Sequence, residues 1–138
     1  MIIVYRNLTS KEDPASGLSA KKPGRGMTPQ DHVMNASRKT FKGSQFISTT
    51  IDPEVAADWA NPGQITVKFD TDNVSHDIKG DLQIIDLSTD EKLNAASFKG
   101  RPYYYARSSK EVLVVGIVPP EAVEVVDIRV IVSKTKTC

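Results

Sequence analysis

The apolar positions of this chain follow two periods, and the period changes where capping residues stand. Residues 2–6, Ile2-Ile3-Val4-Tyr5-Arg6, predict a first strand, and three apolar residues in a row imply burial on both faces. Residues 46–50, Phe46-Ile47-Ser48-Thr49-Thr50, predict a second strand that ends in small hydroxyl residues. A helix follows at once. Asp52 is a good N-cap, Pro53 suits the first helical position, and Glu54 places negative charge where the helix dipole favours it. Val55, Ala56, Trp59 and Ala60 fall at helical spacing on one face. Residues 64–69 alternate with period two and predict a strand, as does the short run 82–87. Residues 111–118, Glu-Val-Leu-Val-Val-Gly-Ile-Val, predict a very apolar strand. Beyond the corner at Pro119-Pro120, the β-branched run 122–132 predicts the last one.

Two further helices are signalled by their starts. Thr28-Pro29-Gln30-Asp31 combines a hydroxyl cap, a proline and an early acid, and predicts a helix carrying His32, Val33 and Met34 to about Arg38. Ser88-Thr89-Asp90-Glu91 predicts a short helix to about Ser97, with Leu93, Ala95 and Ala96 as its apolar residues. Residues 7–27 contain no convincing element, and a loop of that length in a small domain is often functional. Gly24-Arg25-Gly26 within it lacks the third glycine and the strand-before-helix setting of a dinucleotide fingerprint. Residues 70–81 read as a solvated turn, and residues 134–138 as a frayed tail. Residues 98–110 hold Tyr103, Tyr104 and Tyr105 in succession, which strand propensity reads as a strand packed on the core. With no βαβ rhythm, the sum is one α+β domain over residues 1–138. It has two packed, mainly antiparallel sheets and two or three short helices.

Composition narrows this little. The 138 residues suffice for one hydrophobic core, and 39% hydrophobic with 25% charged residues is ordinary for a globular domain. A formal net charge of +1 gives no bulk attraction to nucleic acid or membrane. Cys138 is the only cysteine, which rules out an internal disulfide and a cysteine-based metal site. The first residues reach Arg6 too soon for a signal peptide, and no apolar run approaches a membrane span.

Candidate chemistry lies on three separate predicted strands: Arg6, the Ser48-Thr49-Thr50 row, and Glu111. Each has an ordinary explanation. Arg6 can reach solvent at a strand end, the hydroxyls can cap the turn into the helix, and Glu111 can be a strand-start charge. His32 is either structural or faces a ligand, and His32 and His76 have no ligand-like spacing for a metal.

Taken together, these segments resemble the arginine–serine–glutamate class of mono-ADP-ribosyltransferases, in particular the C-terminal toxin domains of bacterial polymorphic secreted proteins. The likeness rests on Val4-Tyr5-Arg6, Asp31-His32-Val33, residues 46–50, Ala56-Ala57-Asp58-Trp59-Ala60, Lys110-Glu111-Val112-Leu113-Val114 and Gly116-Ile117-Val118-Pro119-Pro120. It spans most of residues 4–120.

The resemblance implies an enzyme that cleaves NAD⁺ at the nicotinamide–ribose bond and transfers ADP-ribose to a macromolecule, protein or nucleic acid, with NAD⁺ as substrate and no metal. Glu111 would stabilise the developing oxocarbenium charge, much as carboxylates do in glycoside cleavage. Arg6 would grip the NAD⁺ phosphates and ribose, Ser48 would hydrogen-bond to and orient Glu111, and Thr49 and Thr50 would shape the nicotinamide pocket. Trp59 and Tyr105 are candidates to stack on nicotinamide. The family also implies secretion within a larger effector, action in the cytoplasm of a target cell, a cognate immunity protein, and no membrane insertion. Many relatives carry a second glutamate or a glutamine two positions before the catalytic glutamate; here Ser109 stands there. A serine is a poor base, which weakens the case for an arginine acceptor and keeps simple NAD⁺ hydrolysis open. A non-catalytic binding module on the same scaffold is the remaining alternative.

Overall fold

A computed structural model describes residues 2–36, 38 and 40–136. It is α+β. Strands β1 (Ile3–Asn7), β3 (Ile47–Thr50), β4 (Thr66–Asp70), β5 (Gln83–Asp86), β6 (Glu111–Val115) and β8 (Glu124–Val126) form a six-stranded antiparallel sheet in the order β5-β6-β3-β1-β4-β8. Strands β2 (Leu18–Ser19) and β7 (Ile117–Val118) pair in a second, two-stranded sheet. Helices α1 (Pro29–Asn35), α2 (Pro53–Trp59), α3 (Asp90–Ala95), α4 (Arg101–Ser109) and α5 (Ile128–Lys136) complete the described chain.

The large sheet separates two cores, and β6 shows how. Its side chains alternate: Val112 and Val114 join Val4, Ile47, Val67, Leu18 and Val118 on one side. Leu113 and Val115 join Val33, Leu87, Leu93, Phe98 and Ala106 on the other. Burial on both faces is why this run is apolar without alternation. The run is also broken, where the sequence predicts one strand. Gly116, at φ 144°, lets the chain leave the large sheet for the small one, and a Cβ there would stand 2.5 Å from the Ser75 carbonyl. In β1, by contrast, Val4 is fully buried and Ile3 is 43% exposed, so the expected two-sided burial does not hold.

Three predicted helices are present, slightly shorter than expected. Each has its side-chain cap: Thr28 Oγ1 accepts the Asp31 N–H, Asp52 accepts the Glu54 N–H, and Thr89 Oγ1 accepts the Lys92 N–H. Leu93 is buried, but Ala95 and Ala96 of the third are exposed. Two more helices replace predicted strands. The tyrosine run lies on α4. There Tyr103, Ala106 and Ser109 turn inward at a spacing of three while Tyr104, Tyr105 and Ser108 stay out, so tertiary burial with helical period overrides the β propensity of tyrosine.

The β-branched run 122–132 is likewise not one strand. After β8, Asp127 accepts the Arg129 N–H through its side chain and the Val130 and Ile131 N–H groups through its carbonyl, starting α5, which packs against α2. Residues 134–136, read from sequence as frayed, continue that helix, while 137 and 138 lie outside the described residues. The loop 7–27 contains β2 and a 3-10 turn at Pro14–Ser16.

Candidate active site

The three strands named from sequence are neighbours. β3 lies between β6 and β1, with Thr50 opposite Glu111 on one side and opposite Tyr5 on the other. Arg6, Ser48 and Glu111 line one cavity of about 1030 Å³, together with His32, Trp59, Tyr105 and Ser109.

Arg6 is held tightly. Its Nε and Nη2 donate to the two carboxylate oxygens of Glu12 at 3.1 and 2.9 Å, and its Nη1 donates to the Ser48 carbonyl at 2.9 Å. Three of its five N–H groups are thereby used, which leaves two for a ligand. Glu12 also accepts the Thr9 N–H at 2.9 Å. Burial pushes the Glu12 carboxyl up, but the hydrogen bonds and charge of Arg6 and the Thr9 N–H outweigh it and hold the group below its ordinary value.

Glu111 is 9% exposed. Its backbone is fixed on both sides: the Ile51 N–H donates to the Lys110 carbonyl at 3.3 Å, and the Leu87 N–H to the Glu111 carbonyl at 2.8 Å. Lys110 caps α4 in the left-handed region, at φ 47°, and its Nζ donates to Asp52 at 3.0 Å. Glu111 thus enters the site from a helix–strand joint pinned to the start of α2. No described residue hydrogen-bonds its carboxyl group. Burial pushes that carboxyl up to about 8, with the charge of Arg6 pulling the other way.

Ser48 bonds through its hydroxyl to His32, where the resemblance implies a bond to Glu111. Its Oγ shares a 2.6 Å hydrogen bond with His32 Nε2, and His32 Nδ1 shares one of 2.7 Å with Ser44 Oγ, which also accepts the Phe46 N–H at 3.0 Å. Phe41 and Phe46 meet the imidazole edge-on, with ring centroids 5.6 and 5.3 Å away. Burial, then the Arg6 charge, lowers His32 from 6.5 to about 4, so the ring is neutral at pH 7. A neutral imidazole with a hydroxyl on each nitrogen can pass a proton in either direction. Sequence left His32 open because its partners lie outside its helix, Ser44 in the segment before β3 and Ser48 on β3.

Thr49 and Thr50 are not among the cavity residues. Thr49 is turned to the other side, where its Oγ1 donates to the Val112 carbonyl at 2.7 Å, and Thr50 Oγ1 accepts the Asp52 N–H at 3.1 Å. They brace β3 instead. Trp59 and Tyr105 both reach the cavity and remain 58% and 49% exposed, so both stand at its mouth rather than in a core. Ser109 is buried, and its hydroxyl donates to the Ala106 carbonyl at 3.3 Å. Glu12 was not legible in sequence: it lies in a loop, and nothing local marks it as the partner of Arg6.

His32 and Glu111 pull the pH dependence of stability in opposite directions. Unfolded His32 takes up a proton below 6.5 that the folded ring refuses until about 4, so this group favours folding more as pH rises through that window. Folded Glu111 keeps a proton up to about 8 that the unfolded chain releases above 4.5, so stability falls as pH rises through that window. Between 4.5 and 6.5 the two slopes, each roughly 1.4 kcal/mol per pH unit, offset one another. Urea unfolding of His32→Phe is therefore expected to show stability rising on acidification across that interval, where the wild type stays nearly level. Parallel curves for the two proteins would contradict the neutral, buried His32.

No family model matches the chain, and no curated protein and no solved structure matches it.

Proposed function

We propose that this protein is an NAD⁺-dependent mono-ADP-ribosyltransferase that transfers ADP-ribose to a macromolecular acceptor and releases nicotinamide. One observation carries the reading: Arg6, Ser48 and Glu111, from β1, β3 and β6, line a single cavity in which the carboxyl group of Glu111 is buried and has no hydrogen-bond partner among the described residues. A cationic nicotinamide ring entering beside that carboxyl supplies the positive charge that favours loss of its proton to solvent at the open mouth. As the bond to nicotinamide breaks, the charge passes to the ribose, and the carboxylate stabilises it in a site of low dielectric. The two uncommitted N–H groups of Arg6 donate to the ligand's oxygens, and the Ser44–His32–Ser48 line holds the floor of the site in one arrangement. Trp59 and Tyr105 offer flat apolar faces at the mouth for nicotinamide or for an acceptor.

A second reading, NAD⁺ hydrolysis with water as acceptor, draws on Ser109. Its buried hydroxyl already donates to Ala106, and it brings no carboxylate to activate an acceptor. From the family resemblance alone, the proposal extends to a domain of a secreted effector that acts in a target-cell cytoplasm and is restrained by an immunity protein.

The test is nicotinamide release from NAD⁺ by wild type and Glu111→Gln, with and without cell lysate and labelled NAD⁺. Release by the wild type alone, with label passing to macromolecules, is the expected result. Release without transfer selects hydrolysis, and no release in any arm rejects both readings. Because the reaction needs the carboxylate, kcat/KM for NAD⁺ should rise with pH and level off above about 8.

A further inference from the structure

Arg6 is the obvious anchor for the phosphates of a dinucleotide, yet its charge is already met. The fork of its guanidinium is closed on both oxygens of Glu12, and both side chains are less than one fifth exposed. A diphosphate would have to compete with a carboxylate that is in place before the ligand arrives.

A different wall of the same cavity carries free positive charge. Here the chain runs beside itself: the Lys22 N–H donates to the Ser44 carbonyl at 3.1 Å, so the segments around residues 21 and 43 lie side by side. The stem of Lys21 lies over Gly43, whose φ is 104°; a Cβ at Gly43 would stand 2.6 Å from Lys21 Cβ. Arg25 Nη1 donates to the Gly43 carbonyl and braces the same strip. Lys21 and Lys42 both line the cavity, both are exposed, and neither forms an ion pair with a described acidic residue. Of the acids on the cavity wall, Glu12 is spent on Arg6, Asp13 accepts the Ala15 N–H in its own turn, and Glu111 is buried.

We infer that Lys21 and Lys42, rather than Arg6, hold the diphosphate of the nucleotide, and that Glu12 keeps Arg6 from that role by closing its fork. The inference rests on the NAD⁺ reading for the nucleotide, but not for the anion site. Two ammonium groups on flexible stems, both on the wall of one cavity, suit two linked phosphates, which carry charge in several directions and need no planar fork. Glu12 then fixes the Arg6 guanidinium against Ser48 and leaves it to the ribose end of the ligand.

The experiment is isothermal titration of the whole chain with ADP-ribose, inorganic pyrophosphate and nicotinamide, at low and high salt. It compares wild type, Lys21→Gln/Lys42→Gln and Glu12→Gln. Glutamine keeps most of each stem, and since neither lysine forms an ion pair with a described acidic residue, the double variant should melt with the wild type. It should bind ADP-ribose and pyrophosphate at least about tenfold more weakly and with a flatter salt dependence, with nicotinamide unchanged. Glu12→Gln, which returns net charge to Arg6, should tighten pyrophosphate several-fold. Wild type and double variant binding ADP-ribose equally well would overturn the inference, as would a wild type that binds neither phosphate ligand. Lysine-dependent binding of pyrophosphate without any binding of ADP-ribose would keep the anion site and remove the NAD⁺ reading instead.

Discussion

Glu111→Gln is expected to unfold at a higher temperature than the wild type and, under the proposed NAD⁺ reading, to release nicotinamide at least about 100-fold more slowly. The two effects have one cause. The carboxyl sits in a place that disfavours its charge, with no described hydrogen-bond partner, and burial raises it from 4.5 to about 8. At pH 7 the folded protein therefore carries a proton there that the unfolded chain gives up. By linkage this costs the native state up to about 3 kcal/mol, and the cost grows until pH reaches about 8. Glutamine has the shape of the protonated acid and does not titrate. Its advantage should vanish below pH 4.5, where both states of the wild type are protonated. Thermal melts at pH 4, 7 and 8.5 read the stability, and nicotinamide release reads the rate. A variant that is slow but whose stability advantage over the wild type is no larger at pH 8.5 than at pH 4 would mean that Glu111 is not held in a desolvated position.

Replacing Arg6 by alanine is the second large effect, and its sign is opposite. Arg6 ties three segments together: its own strand, the loop at Glu12, and the Ser48 carbonyl of β3. Alanine leaves the partly buried Glu12 carboxylate with only the Thr9 N–H and opens a gap beside Ser48. A loss of about 2–3 kcal/mol is expected, within the range for breaking a pair in which the remaining charge stays buried. The favourable share from Glu12 is present above its unfolded value of 4.5 and disappears as pH falls through its depressed folded value. Arg6→Ala should therefore approach the wild type in stability under acid. Arg6→Lys keeps the charge but not the fork, since one ammonium cannot serve both Glu12 oxygens and the Ser48 carbonyl at those positions. It should recover part of the stability and little of the nicotinamide release. Full activity in Arg6→Lys would show that charge alone matters at this position.

What the sequence determined about this protein is local. Caps at Thr28, Asp52 and Thr89 started three helices where they were expected, because an N-cap acts on N–H groups only a few residues away. The apolar run Val112–Val115 became an inner strand buried on both sides, the one setting that has use for such a run, while the run at Val4 became a strand with one buried face. Arg6, Ser48 and Glu111 were legible as unusual residues at strand positions, and they do line one cavity.

Tertiary structure decided the rest. Whether three tyrosines form strand or helix depended on which of them could find a core, and only the inward spacing of Tyr103, Ala106 and Ser109 met one. Asp127 turned a β-branched run into a helix because α2 offered a surface to pack on. The partners that define the site's charge state are far apart in sequence or carry no local mark. Glu12 reaches Arg6 from a loop, and Ser44 and Ser48 reach His32 from outside its helix. Threonines 49 and 50 follow Ser48 directly but serve the framework, because one faces away along the pleat and the other is taken by the next helix start. A strand's alternation and a helix's first turn are set within a few residues. Which carboxylate meets which cation is set by how the loops close over the sheet.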